Sequence, residues 1–329
     1  MFSISVGMSR RLGDHQQTRK RYMIRDRALG ALVGLAIGDA LGTTLEFSAR
    51  DSLPEVTDLV GGGPFHLEPG EWTDDTSMAL CLADSLIACR DLDEDDLMRR
   101  FCRWYRVGEN SVTGRCFDIG NTTRAALEHY ERTGLTGGPL RDRHLTAGNG
   151  SLMRLAPIAI AYGRDVGRMV AMADRQSRVT HAAEQPAEAC RLFAILLAEA
   201  MDGARKQEVL APLDWNGHCA SIARGDWRHK KRQDISSSGY CLHTLEAAVW
   251  GVGKTASFAE AVILATNLGD DADTVAAVTG QLAGALYGLS GIPAQWLDRL
   301  AWRASIEERA ASLYRLGDND YSPSPRGNG

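Results

Sequence analysis

The chain has 329 residues, 44% of them hydrophobic and 24% charged, with a formal net charge of −5. That length can bury a sizeable core in one large domain or two ordinary ones, and the acidic balance argues against a nucleic-acid partner. Eight scattered histidines without an HExxH spacing and seven cysteines without a CxxC pair argue against structural zinc, while an odd cysteine count set in apolar patterns fits a reducing, cytoplasmic compartment.

Residues 1–25 read as an arm. Arg10, Arg11, Arg19, Lys20, Arg21 and Arg25 stand against a single acid, Asp14, and no apolar core marks a secretory signal. Two readings stay open here: the plain one, a disordered tail or an upstream start codon with Met23 as the true start, and the sharper one, an arm that docks on an acidic partner. The next stretch, "ALGALVGLAIG" (28–38), has 11 residues before Asp39, short of the roughly 20 that span a bilayer. Glycines at 30, 34, 38 and 42 recur every fourth residue and so share one helix face, where another backbone can come close. Gly280, Gly284 and Gly288 repeat the device, which predicts that the two glycine-faced helices pack together and join the acidic clusters beside them.

Further helices are predicted over 94–107, 121–132, 151–162, 165–178, 184–201, 240–252, 256–266 and 296–315. Residues 54–65 and 133–151 are glycine-rich loops, and 204–239 is a polar excursion from the helical body. The seven tryptophans read as packing or loop anchors. Strand-like alternation is nearly absent, and no solenoid period is found. The expectation is one all-α domain over 26–318, followed by a flexible tail, 319–329, with functional loops at one end of the helices.

Two clusters carry the chemistry. "GEWTDDTSMAL" sets Thr73, Asp74, Asp75 and Thr76 before an apolar run, and "NLGDDADTVAAV" sets Asp270, Asp271, Asp273 and Thr274 before another. Residues two apart cannot converge within a continuous helix, but they can at the turn entering one, where free N–H groups soften the gathering of anions. Helix caps are the plainer reading, since Asp and Thr are favoured caps. One cap needs one oxygen, however, and these stretches supply five aspartates and several threonines, a donor set suited to hard divalent cations. Spacing alone leaves both readings open.

"GLAIGDALGTTLEF", "EWTDDTSMAL", "FDIGNT", "AGNGSLMR", "VTHAAEQP", "SSGY" and "GDDADTVAAVTGQLAGALYG" occur in this order. Together they resemble the ADP-ribosylglycohydrolase family over about residues 26 to 300, most closely its dinitrogenase-reductase-activating type. The resemblance implies a compact, single-domain orthogonal helical bundle with two Mg²⁺ or Mn²⁺ ions, which removes ADP-ribose from modified side chains. It implies metal ligands Thr73, Asp74, Asp75, Asp271, Asp273 and Thr274. Glu46 matches the family's cleft glutamate, a candidate acid–base, and Asp75 is a further candidate for handling the proton. Asp118 matches the aspartate that lies near the guanidinium in arginine-directed members, although locally it also reads as a cap for the helix starting at Asn121. Asn121, Asn149, Gly150, Ser151, Met153, His181 and Tyr240 are implied substrate contacts: "GNGSLMR" as a diphosphate cradle at a helix start, and Tyr240 as a stack on adenine. One departure is Asp270, where the family has a second glycine; it adds a negative charge beside the metals and is left out of the ligand set.

The implied partner is a protein carrying ADP-ribose, on arginine rather than serine because of Asp118, with no membrane involved. Some family members are immunity proteins against ADP-ribosylating toxins, and by analogy the basic arm is expected to bind such a toxin. A non-catalytic ADP-ribose- or protein-binding module on the same fold, or a hydrolase of serine-linked ADP-ribose or another small glycoside, is the alternative.

Overall fold

A computed structural model of the protein describes residues 24–138 and 147–320, with side chains through 318. The predicted arm lies outside the described residues except for Ile24 and Arg25, which already belong to the first helix. The predicted tail lies outside them except for two residues that finish the last helix. Helix α1 covers 24–42 and tightens into a 3₁₀ turn, Thr43–Leu45. Then follow α2 (Asp74–Cys89), α3 (Glu94–Val107), α4 (Asn121–Thr133), α5 (Ala156–Tyr162), α6 (Val166–Arg178) and α7 (Glu184–Met201). The polar excursion holds the short α8 (Lys206–Val209) and α9 (Ala220–Arg224). The chain closes with α10 (Cys241–Lys254), α11 (Phe258–Thr266), α12 (Ala272–Tyr287), α13 (Ala294–Arg299) and α14 (Arg303–Asp320). No strand occurs among the described residues, only isolated bridges joining Gly62 to Leu67 and Gly148 to Tyr240. The fold is all-α, as the helical periodicity predicts.

Local chemistry explains the helix ends. The Asp93 side chain accepts from the N–H groups of Asp95 and Asp96 to start α3, and Gly108, left-handed at φ 71°, ends it. Between them Leu97, Met98, Phe101 and Trp104 form the buried stripe, each contributing about 1.5–3 kcal/mol by leaving water. Asp165 caps α6 and Ser257 caps α11 in the same way.

The centre is built differently. Every residue of α12 from Ala272 to Leu286 is buried, so that helix has no solvent face. It runs antiparallel to α1 at backbone contact. A methyl at Gly34 would strike the Gly280 carbonyl, one at Gly30 the Gly284 carbonyl, and one at Gly38 the Ala276 carbonyl. The predicted glycine seam therefore exists, and it brings the end of α1 to the mouth of α12.

Three sequence expectations are corrected here. Ile24–Leu45 is 22 residues with mean hydropathy 1.6, long and apolar enough to cross a membrane, so the 11-residue run understates it. Its best window is 94% buried inside the protein, which makes it a core helix. The helix predicted over 151–162 starts only at Ala156, with Pro157 in its first turn, because residues 150–154 form turns. The helix predicted over 296–315 is two, α13 and α14. The Ala301 N–H donates to the Gly70 carbonyl, Trp302 is left-handed at φ 55°, and its ring meets that of Trp72 edge-on at 5.3 Å. A tertiary contact breaks a run that is helical by pattern.

The tryptophans do anchor loops. Trp215 Nε1 donates to Glu188 of α7 and Trp250 Nε1, on α10, to the Lys230 carbonyl, which fasten the excursion to those helices, while Trp227 Nε1 donates to the Ile222 carbonyl within it. All seven cysteines are free thiols.

Candidate active site

Asp39, on α1 between Gly38 and Gly42, organises the first cluster. Its Oδ1 accepts from the Thr73 N–H (2.8 Å) and Thr73 hydroxyl (2.9 Å), and its Oδ2 from the Thr76 N–H (2.9 Å) and hydroxyl (2.6 Å). The α2 mouth is therefore capped from another helix, and Thr73, at the N-cap position, makes no capping bond of its own. Asp74 and Asp75 are left free of that duty, both buried in the first turn.

The second cluster meets the first across the seam. The Thr73 hydroxyl lies 3.2 Å from Asp273 Oδ2 and 3.5 Å from Asp75 Oδ2, and the Thr274 hydroxyl lies 3.3 Å from Asp75 Oδ2. Glu46, just beyond the 3₁₀ turn, accepts the Asp273 N–H at 3.2 Å. Oxygens of Glu46, Asp118 and Asp273 all lie within 4.8 Å of one another. Asp271 is held by Asn149, whose Nδ2 donates to it at 2.8 Å and to the Thr244 hydroxyl at 2.9 Å.

The other predicted site residues are distributed around this group. Gly148 bridges to the backbone of Tyr240, whose half-buried ring meets that of His243 edge-on at 5.0 Å. A side chain at Gly150 would press against His181 and Thr123. Met153 is buried, its sulfur 4.0 Å from the Thr274 hydroxyl. The Ser151 hydroxyl turns into the core, 2.7 Å from that of Ser177, and its carbonyl accepts from Gln176 Nε2 at 2.9 Å, so of its polar groups only the N–H has no such partner. The "GNGSLMR" cradle is not a helix start, since the Leu152 and Met153 N–H groups are both bound to the Asn149 carbonyl. Asn121 stands exposed at the first residue of α4. Asp118 is left-handed at φ 58° and does not cap α4, where Gly120 takes the cap position without a side-chain bond. Asp270 is also left-handed at φ 58°, in keeping with a glycine at that place, and its exposed carboxylate accepts from the Ser237 hydroxyl at 3.0 Å.

Five buried carboxylates (Asp39, Glu46, Asp74, Asp75, Asp273) and two half-buried ones (Asp118, Asp271) thus form one cluster. Among the described residues no lysine or arginine pairs with any of them. Burial, and next the charge of Asp273, pushes the carboxyls of Asp39 and Asp271 up to about 7 and that of Asp118 up to about 12. The same causes raise Glu46, Asp74 and Asp75 well above the carboxylate range. Such a group cannot be fully ionised without a positive partner. A hard cation fits: the donors are all oxygen, and Asp75 Oδ1 is buried with no hydrogen-bond partner. Sequence reasoning missed Asp39 as the residue that holds the first cluster, although a lone aspartate inside an apolar, glycine-faced helix is a visible oddity.

A family model for ADP-ribosylglycohydrolases matches residues 20–323. The chain belongs to that family. It is 49% identical to the ADP-ribosylarginine hydrolase Tri1 of Serratia proteamaculans (strain 568), over 90% of this chain and 81% of the relative. It is 51% identical to the protein of the same name in Pseudomonas putida (strain GB-1), over 88% and 78%. The ADP-ribosyl-[dinitrogen reductase] glycohydrolase of Rhodospirillum rubrum is 33% identical over 87% of this chain and 94% of its own. The likeness to the dinitrogenase-reductase-activating type therefore holds, and the two arginine hydrolases stand nearer. A solved chain described as an ADP-ribosylglycohydrolase-related protein complex superposes with a TM-score of 0.79 at 42% identity, covering 90% of this chain and 99% of that one.

Proposed function

We propose that the protein is a cytoplasmic, metal-dependent hydrolase that releases ADP-ribose from ADP-ribosylated arginine side chains. The observation that carries this reading is the cluster of seven carboxylates with no ion-paired lysine or arginine among the described residues, in a chain about half identical to two proteins named for that activity. Thr73, Asp74, Asp75, Asp271, Asp273 and Thr274 would hold two divalent cations, Mg²⁺ or Mn²⁺. Bound there, the cations supply charge that polarises ribose hydroxyls and a water.

The chain's own residues do the rest. Cleavage breaks the bond between the anomeric carbon of the distal ribose and the guanidinium nitrogen, while a water oxygen bonds to that carbon. Positive charge that develops on the sugar is met by Glu46, Asp118 and Asp273, whose oxygens converge. Glu46 or Asp75 takes the water proton, and the arginine nitrogen regains one as it leaves. Asp118 pairs with the guanidinium, whose planar fork suits two carboxylate oxygens and favours arginine over serine as the leaving side chain. Asn121, Asn149, Gly150, Ser151 (through its backbone), Met153, His181 and Tyr240 surround the rest of the ADP-ribosyl group. The catalytic domain is assigned to 26–318, and the basic arm, 1–25, to an ADP-ribosylating toxin as a second partner.

An arginine-ADP-ribosylated protein incubated with the enzyme tests this directly. Label is expected to be lost with Mg²⁺ or Mn²⁺ and retained with chelator or in Asp74→Ala. Turnover that survives chelator, or persists in Asp74→Ala, overturns it. Asp118→Ala is expected to reduce arginine release more than serine release.

A further inference from the structure

Arg154 is fully buried and among the described residues makes no close ion pair; the nearest carboxylate charge acting on it is that of Asp74. It is held over the Phe101 ring at 4.6 Å, its Nε donates to Gln176 Oε1 at 3.0 Å, and its Nη2 donates to the Gln176 carbonyl at 2.8 Å and to the Thr180 hydroxyl at 2.9 Å. The Thr180 oxygen in turn lies 2.8 Å from His181 Nδ1. A buried guanidinium is costly to retain for packing alone, and this one ends a chain that leads to His181, itself 1% exposed.

The chain has a direction. A guanidinium only donates, so Thr180 accepts from Arg154 and keeps one proton to give. If Nδ1 also donated to Thr180, the hydroxyl proton would have no acceptor among the described residues, in a side chain that is 1% exposed. Thr180 therefore donates to Nδ1. The His181 imidazole is neutral, pushed down to about 3 by burial and next by the charge of Arg154. A neutral ring that accepts at Nδ1 carries its proton on Nε2. That atom faces Gly148 and Gly150, 3.6 Å and 3.4 Å from where their Cβ atoms would be. It has no acceptor among the described residues, and Asn149 between those glycines reaches Asp271.

We propose that Arg154 and Thr180 are positioning residues that lock His181 as an Nε2–H donor, facing the Gly148–Gly150 loop beside the acidic cluster, to bind an acceptor oxygen of the ADP-ribosyl group. The ligand rests on the function proposed above; the tautomer does not. Gln176 joins the same frame, since its Nε2 donates to the Ser151 carbonyl at 2.9 Å and fixes the loop that the donor faces.

Long-range ¹⁵N–¹H spectra of histidine-labelled full-length protein at pH 7.5 read the tautomer directly, without any variant. The expected result is a neutral Nε2–H ring for His181, with ADP-ribose plus Mg²⁺ shifting Nε2 far more than Nδ1. Thr180→Val is expected to mix the tautomers and weaken ADP-ribose binding about tenfold, the scale of one lost hydrogen bond, while Thr180→Ser restores both. An Nδ1–H or protonated ring in the unaltered protein, or saturation with ADP-ribose that leaves Nε2 unmoved, overturns the proposal. If the protein fails to turn over ADP-ribosyl-arginine, the tautomer result still stands or falls by itself.

Discussion

The mouths of α2 and α12 look alike in sequence, each an acid- and threonine-rich turn before an apolar run, yet they are secured in opposite ways. At α2 the free N–H groups are taken by Asp39, a residue from another helix, so Asp74 and Asp75 carry no capping bond. At α12 no side chain caps from the N-cap position either, but the acids hold one another's surroundings: Asp273 Oδ1 accepts the Thr274 N–H at 2.6 Å, Glu46 takes the Asp273 N–H, and Asn149 holds Asp271. The difference shows that a chain can spare the gathered carboxylates from the free N–H groups at one helix start, α2, and use them there at the other, where Glu46 and Asp273 each take one. One mouth borrows its cap; the other is braced by loops from both sides.

The largest effect should come from the residue shared by both mouths. Asp273→Ala removes the carboxylate that reaches Thr73 and sits with Glu46 and Asp118, and a loss on the order of 10³ in kcat is expected on an arginine-ADP-ribosylated protein. Loss of less than tenfold would mean the two mouths act separately.

Next comes the borrowed cap. Asp39→Asn keeps the shape but leaves one oxygen to serve the two N–H groups and two hydroxyls now bound. Activity should fall about 10–100-fold, as for other residues that orient ligands, and cation affinity with it. Unchanged cation affinity by titration calorimetry would show that the α2 mouth stands without Asp39.

The seam that aligns the mouths is tested by Gly34→Ala, whose methyl would strike the Gly280 carbonyl. Overpacking of this kind costs about 1–3 kcal/mol, which a urea midpoint would register. A neutral result would mean the helices separate freely.

The smallest effect is a pH dependence. The carboxyls of Asp39 and Asp271 titrate near 7 in the cation-free fold against an ordinary value of 3.8, so the folded state binds more protons than the unfolded one. Stability from these groups is therefore greatest at low pH and is lost progressively from about 4 to about 7 and above. Because a divalent cation compensates the charge, Mg²⁺ or Mn²⁺ should raise the Tm more at pH 8 than at pH 5.5. An equal rise at both would place the cation elsewhere.

Legibility in the sequence followed the range of the interaction. α3 and α7 match their predicted spans, 94–107 and 184–201, because stripe and local chemistry both lie within one segment. The α1–α12 contact was also readable, since glycine every fourth residue has little other use in a buried helix. The break between α13 and α14 was not, for it depends on Gly70 and Trp72, more than 200 residues earlier. The start of α5 was readable in principle from Pro157 and was overrun by an apolar pattern that continues through the preceding turns.

The sequence by itself determined the all-α class, the glycine-faced pair and the two acid-rich turns, because each is written in spacing along one short segment. Only the tertiary structure decided that Asp39 caps α2, that Asp118 and Glu46 converge on Asp273, and that Arg154 stands behind His181. Those relations join residues far apart in the chain, and hydrogen bonds formed in a buried, low-dielectric interior leave no periodic trace in the order of the amino acids.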